Sequence, residues 1–278
     1  MGVVSVAVPF ADRWYFSELL RGATARVEAA GHRTRTHVLP PSPTSTAEAA
    51  AAIEADFADP ESIGAIAAGF KYREDQSARV LAWQRPIVVV GGTVLGFPTV
   101  LIDDIGAARL AVEHLTGLGH TRIAHFAGTL QDQMDFIVNS RRAKGYRLSM
   151  EGAGLEPLVI QDDFDVDEVH RTALRLLQKP SRPTAIFAVS DEMAFPVLAA
   201  ARELGLQPGV DLSVVGVDDH PRAAEEDLTT VRQQPAEMGA SAADLLLGDL
   251  SHGIDPRKSR LHPVSLVQRG STGRPRSG

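Results

Sequence analysis

The 278-residue chain has no cysteine, which removes disulfides, thiolate nucleophiles and thiolate metal ligands together and fits a reducing compartment. Aromatic residues make up only 5% of the chain, with two Trp and three Tyr, so any place where they gather stands out. Basic charge is in deficit, with 28 Lys and Arg against 35 Asp and Glu and a formal net charge of -7. Binding to nucleic acid draws on Lys and Arg to neutralise phosphates, and this balance leaves no such footprint, so any DNA-reading element is expected to lie elsewhere. No stretch approaches the roughly 20 apolar residues of a membrane span. Met1 to Phe10 has neither a basic leader nor a signal-peptide pattern. A cytoplasmic protein with no membrane partner is expected.

Catalytic and cofactor motifs are also lacking. There is no GxSxG elbow, no phosphate-binding GxxxxGK[ST] loop and no HExxH pair. Gly117 to His120 (GLGH) has a helical pattern before it and a strand pattern after it, the reverse of a dinucleotide fingerprint, so it reads as a helix stop. His114, His120 and His125 match no strong metal spacing and are expected to be buried or capping groups. The carboxylate pairs Asp103-Asp104, Asp162-Asp163 and Asp218-Asp219 are adjacent in sequence, so in extended chain their side chains point to opposite sides. Neither a cofactor nor a metal is expected, and an enzyme acting on a sugar is disfavoured.

What is present is alternation. Val3 to Pro9 is a Val-rich apolar run, and Ser17 to Ala30 carries Leu19, Leu20, Ala23, Val27 and Ala30 at helical spacing before a Gly31 stop. Further strands are expected at Thr34 to Leu39, Ile63 to Ala67, Ile87 to Val90 and Ile123 to Phe126. They are interleaved with helices near Thr46 to Ala58, where Ser45 and Glu48 have capping-box spacing, Asp75 to Gln84, and Ile105 to Thr116. A second series follows: helices Ser140 to Gly152, Val166 to Gln178 and Glu192 to Leu204, with strands Pro157 to Gln161, Thr184 to Val189 and Leu212 to Val217. One more helix, Ala236 to Leu247, either joins an interface or packs the core; after a polar stretch comes a last strand, His262 to Gln268, and a tail at 273–278 expected to be disordered. Strand and helix alternation of this kind predicts an α/β protein of two doubly wound parallel-sheet lobes.

Ligands of open parallel sheets bind beyond the carboxyl ends of the strands, and the unusual residues follow those ends. After the first strand, Arg13-Trp14-Tyr15-Phe16 brings together two of the five Trp and Tyr residues; they serve either as a stacking platform or as packing for a helix start. Arg141 and Arg142 open a helix, where the dipole disfavours cations, so they suit an anionic or hydroxyl-bearing ligand or else face solvent. Ser190 and Asp191 follow a strand directly, with Asp191 expected as an N-cap. Asp218 can accept two hydroxyl hydrogen bonds from a polyol, or form a turn with Asp219.

Six ordered segments carry a family resemblance: Val112 to Gly128 (VEHLTGLGHTRIAHFAG), Arg142 to Tyr146 (RAKGY), Pro183 to Ala194 (PTAIFAVSDEMA), Asp211 to Asp219 (DLSVVGVDD), Leu228 to Gln234 (LTTVRQQ) and Leu261 to Thr272 (LHPVSLVQRGST). Together they resemble the effector-binding region of the lactose/galactose repressor family. The resemblance implies a periplasmic binding protein-like type I fold, two lobes linked by three crossovers. The first lobe would be 1–126 plus 235–260 and the second 127–234 plus 261–272. It implies ligand contacts at Tyr15, Phe16, Arg142, Ser190 and Asp218, with a small polar effector, a sugar or related polyol, held in the interlobe cleft. It further implies a homodimer, and operator DNA bound only through an N-terminal helix-turn-helix. Arg142→Ala and Asp218→Ala are expected to abolish the effector response and leave the fold intact. Two departures stand out. Gly91-Gly92 replaces the polar residue that sugar-binding relatives often present, and Met1-Gly2 reads as the start of a core lacking the helix-turn-helix. The rival reading is a solute-binding protein of a sugar import system.

Overall fold

The computed structural model describes residues 1–38, 45–69, 85–92, 96–128, 137–161, 165–253, 255 and 258–276. The first strand, β1 (Val3–Val8), is buried at all six positions, as a strand covered on both faces must be. Helix α1 (Trp14–Ala29) buries Leu19, Gly22, Ala23 and Val27 along one stripe. Strand β2 (Arg33–Val38) has only exposed and partly buried residues, the polar pattern of an edge strand. There follow α2 (Ser45–Phe57), β3 (Ser62–Ala68), β4 (Ile87–Val90) and β5 (Thr99–Ile102). The capping-box partner Ser45 begins α2, but its side chain, like the expected helix Asp75 to Gln84, lies outside the described residues.

The next run is α3 (Asp104–Gly117), β6 (Ile123–Phe126), α4 (Ile137–Gly152), β7 (Leu158–Ile160), α5 (Val166–Leu177), β8 (Ala185–Ala188), α6 (Asp191–Glu203), β9 (Ser213–Asp218), α7 (Pro221–Glu225) and β10 (Thr229–Arg232). The chain ends with α8 (Pro235–His252), β11 (Arg260–His262) and β12 (Ser265–Val267). Two six-stranded sheets result, in the orders β11-β5-β4-β3-β1-β2 and β12-β10-β9-β8-β6-β7. Every pairing is parallel except β10 with β12.

The chain forms two compact units, Met1–Ile102 with Gln131–Ile137 and Gln234–His262, and Asp103–Leu130 with Val138–Gln233 and Pro263–Gly278. The expected lobe boundary at Phe126 is therefore displaced to Ile102. The cause is strand pairing, because β6 bonds to β7 and β8 of the second sheet. The preceding helix α3 follows it there, packing Ala107, Ala108, Ala111, Val112 and Leu115 against Ile123, Phe187 and Val215. The expected boundary after Arg260 also moves, because β11 pairs with β5 in the first sheet whereas β12 pairs with β10 in the second. What reads in sequence as one strand, His262 to Gln268, is interrupted by Pro263, which has no N–H to give to a ladder.

Each unit keeps its own core. In the second, alternate residues of the strands feed opposite faces: Ala124, Phe126, Ile186, Ala188 and Val214 meet α5 and α6, while Ile123, Ala185, Phe187, Val215 and Val217 meet α3 and α4. In the first, α8 buries Met238, Ala242, Ala243, Leu245 and Leu246, so this helix packs the core. It meets α1 at backbone distance, since a Cβ on Gly22 would enter the carbonyl of Ala236 and one on Gly239 the carbonyl of Leu19. The tail differs from expectation through Arg276: Gly273 N–H donates to Ser213 Oγ at 3.0 Å, and Arg276 pairs with Asp211 at 2.5 Å. Ser277 and Gly278 lie outside the described residues. Among the described residues no helix is long and apolar enough to cross a membrane.

Candidate functional site

In the second unit, three of the residues singled out from the sequence stand at one end of the sheet. Ser190 follows the carboxyl end of β8, Asp218 ends β9, and Arg142 comes from α4 with its Nη1 donating to the carbonyl of Val189 at 2.5 Å. Arg142 is only 4% exposed. Its Nε donates to Asp104 Oδ1 at 2.9 Å, and Asp104 is buried as the first residue of α3. Burial pushes the Asp104 carboxyl up and Arg142 pulls it back. Neither a solvated face nor a freely extended ligand hook describes Arg142. It is a buried strut whose removal would strand a carboxylate, so Arg142→Ala is not the benign probe expected from sequence.

Asp218 is 6% exposed and accepts from Gln233 Nε2 at 2.5 Å. Its φ is 132° and that of Asp219 is 57°, conformations that cost a non-glycine residue energy and gather at functional sites. The surroundings hold the turn rigidly. Asp219 Oδ1 and Oδ2 accept from Arg269 Nη2 and Arg232 Nε, each at 2.6 Å, and its N–H donates to Thr230 Oγ1 at 3.3 Å. Burial pushes the Asp218 carboxyl up, Arg142 opposes this and the nearby Asp191 adds to it.

Asp191 is the residue sequence reasoning misplaced. Ser190, not Asp191, caps α6, its Oγ accepting from the N–H of Met193 at 3.3 Å. Asp191 lies one residue further, fully buried, accepting from Thr230 Oγ1 at 2.7 Å and the N–H of His220 at 2.9 Å. Burial pushes it up too. Gly216 makes room for it, since a Cβ there would run into Asp191 Oδ1. Asp104, Asp191 and Gln233 are thus the positioning groups missed from sequence. Gln233 could have been found from its place one residue beyond β10, which pairs with β9 up to Asp218.

Tyr15 and Phe16 belong to the first unit, in the opening turn of α1, and both are half-buried. Their rings meet edge to face at 5.0 Å, and Phe16 also lies 5.8 Å from Phe10. The Tyr15 hydroxyl is 3.5 Å from where a Cβ on Gly91 would stand, and Gly91 has φ 67°. The tyrosine hydroxyl therefore presents a polar group next to the position where a side chain is missing.

Two similarly wound α/β units, with buried polar residues at the carboxyl end of one sheet, define a class of small-molecule binding proteins. Residues 112–272, more than half of the chain, match the periplasmic binding protein-like domain. The chain belongs to that family, and its relatives place it with regulator cores of the lactose/galactose repressor type. The HTH-type transcriptional regulator DegA of Bacillus subtilis is 35% identical over 217 residues, covering 74% of this chain and 63% of that protein. The alignment thus spans less than two thirds of the relative. A dimeric lac repressor structure with a C-terminal deletion superposes with a TM-score of 0.88 over 98% of this chain and 100% of that one; at 24% identity it supports the fold. A complex of the transcriptional regulator CelR with cellobiose gives 0.81 at 25% identity, covering 97% of this chain and 84% of that one.

Proposed function

We propose that this chain is the effector-sensing and dimerising core of a bacterial transcriptional regulator, and that it binds a sugar or related polyol without catalysing a reaction. The observation that carries this reading is the buried, strained Asp218 carboxylate, held by Gln233 within electrostatic reach of Arg142. A buried carboxyl so placed, its protonated form favoured by burial, can donate to one hydroxyl of a polyol and accept from its neighbour. Ser190 supplies a hydroxyl at the adjacent strand end, and Arg142 holds the carbonyl of Val189 just before it. Tyr15 and Phe16 of the first unit supply the aromatic surface that suits the apolar face of a sugar ring. The cellobiose complex of CelR supports a sugar as the ligand class.

The description of DegA as an HTH-type transcriptional regulator supports DNA reading by a helix-turn-helix in the whole regulator, working in the cytoplasm. The dimeric lac repressor supports a homodimer as the working form. An effector with different affinity for two arrangements of paired subunits would bias them, typically by about 1 to 3 kcal/mol. A thermal-shift screen of monosaccharides, disaccharides, polyols and nucleosides tests the reading. At least one sugar or polyol should raise Tm. Its affinity should fall about tenfold or more in both Ser190→Ala and Asp218→Asn, since each removes a hydrogen bond to the ligand. A ligand that binds both variants as tightly as the parent protein overturns the assignment.

A further inference from the structure

The opposite end of the second sheet carries a cavity that the effector reading does not use. Its volume is about 230 Å³, and it lies where β6, β8 and β9 begin, at Arg122, Thr184 and Ser213, with Arg274 to Arg276 of the tail along one side. Thr184 precedes β8 and Ser190 lies two residues beyond it, so the two sites lie at opposite ends of that strand, separated by at most about 20 Å at 3.3 Å per residue. Four arginines line this one cavity, Arg122, Arg182, Arg274 and Arg276, against a single carboxylate, Asp211. In a chain of net charge -7 that is a local reversal of sign.

The carboxylate is already engaged. Asp211 Oδ1 accepts from Arg276 Nη1 at 2.5 Å and its Oδ2 from the N–H of Gln207 at 2.9 Å, while its carbonyl takes Arg182 Nη1 at 3.0 Å. Among the described residues no carboxylate pairs with Arg122 or Arg274. The floor is built and rigid. His120, 3% exposed, must donate from Nε2 to the carbonyl of Gly273 at 2.9 Å, which leaves Nδ1 to accept from Thr184 Oγ1 at 2.9 Å. Ser213 Oγ donates to the same carbonyl at 3.0 Å and accepts from the N–H of Gly273 at 3.0 Å. This gives the GLGH segment a structural role, since its His ties the starts of β8 and β9 to the tail.

We propose that this cavity binds a small phosphate-type polyanion, at a second ligand site separate from the effector residues. Guanidinium groups pair with phosphate oxygens in bidentate geometry, and several of them converging without matching carboxylates are stabilised by a ligand of charge -2 or more. The volume suits an inorganic polyphosphate or a small phosphorylated metabolite. Occupancy would clamp Arg274 and Arg276 of the tail onto the strand starts.

Isothermal titration of the full chain with inorganic pyrophosphate at physiological ionic strength tests this. Saturable one-to-one binding is expected, weakened about tenfold or more by Arg122→Ser and by Arg274→Ser, each of which loses a charge-assisted contact. Both residues are exposed, so circular dichroism melts of the variants should match the parent. Asp218→Asn should leave pyrophosphate binding unchanged. The proposal fails if the parent shows no saturable binding, or if both arginine variants bind like the parent. It also fails if equal ionic strength of sodium chloride abolishes the signal, which would indicate diffuse electrostatics, or if Asp218→Asn loses it, which would assign the anion to the effector residues. The outcome is independent of whether a sugar binds at Asp218.

Discussion

Arg142→Met is the perturbation whose consequence can be worked furthest. Methionine keeps much of the volume but withdraws the donors to Asp104 Oδ1 and to the Val189 carbonyl. Asp104 is 4% exposed, and breaking a buried pair by removing one partner costs about 3 to 5 kcal/mol. If Asp104 escapes by taking a proton, holding a carboxyl neutral at pH 7 against an unfolded value near 3.9 costs about 4 kcal/mol, falling to about 1.5 kcal/mol at pH 5. The carboxyl is already pushed up by burial, and losing Arg142 pushes it further. Its folded value then lies above its unfolded one, so the folded state holds the extra proton and stability declines as pH rises. Destabilisation relative to the parent should therefore be up to about 4 kcal/mol at pH 7 and shrink by up to about 2.5 kcal/mol at pH 5. Urea unfolding followed by far-ultraviolet circular dichroism is the suitable assay, because Trp14 lies in the first unit whereas Asp104 and Arg142 lie in the second. A loss under about 1 kcal/mol, the range of exposed ion pairs, or a loss that does not change between the two pH values, would refute the argument.

Asp218→Asn should flatten the pH dependence of the ligand-free protein. The folded carboxyl is raised, so it destabilises as pH climbs from about 4 through the folded value, and Asn cannot ionise; Tm of the variant at alkaline pH should exceed that of the parent, and an equal or steeper decline would contradict the buried state. Gly22→Val should lower the melting temperature of the first unit, because its Cβ enters the Ala236 carbonyl and forces α1 from α8, with an overpacking cost of about 1 to 3 kcal/mol. Gly117→Ala, at a helical position with nothing within 4 Å, should be neutral or raise Tm by the equivalent of up to about 1 kcal/mol; equal losses in the two variants would show that close packing is not the cause.

The residues by themselves determined the alternation of strands and helices, because a strand buried on both faces must be apolar throughout and a helix on a sheet must repeat its apolar residues every three or four. Both signals are local. Val3 to Val8 and the Leu19, Ala23, Val27 stripe appear in the structure as they read in sequence. The spacing of unusual residues after strand ends likewise pointed to Ser190 and Asp218, since a parallel sheet places its strand ends together.

Tertiary structure alone decided which sheet each strand joins. Two doubly wound series look alike in sequence, and neither β6 nor β11 carries a mark of its partners, so the boundary fell at Ile102 instead of Phe126. It also decided what the charges do. Whether a carboxylate after a strand caps a helix or sinks into the core depends on one residue of register, and here Ser190 takes the cap while Asp191 sinks into space left by Gly216. Arg142 reads as a ligand contact or a solvent-facing cation until Asp104, 38 residues away, is brought to 2.9 Å. Burial and partnership set the energy of an ionised group, and both are made by residues distant in the chain.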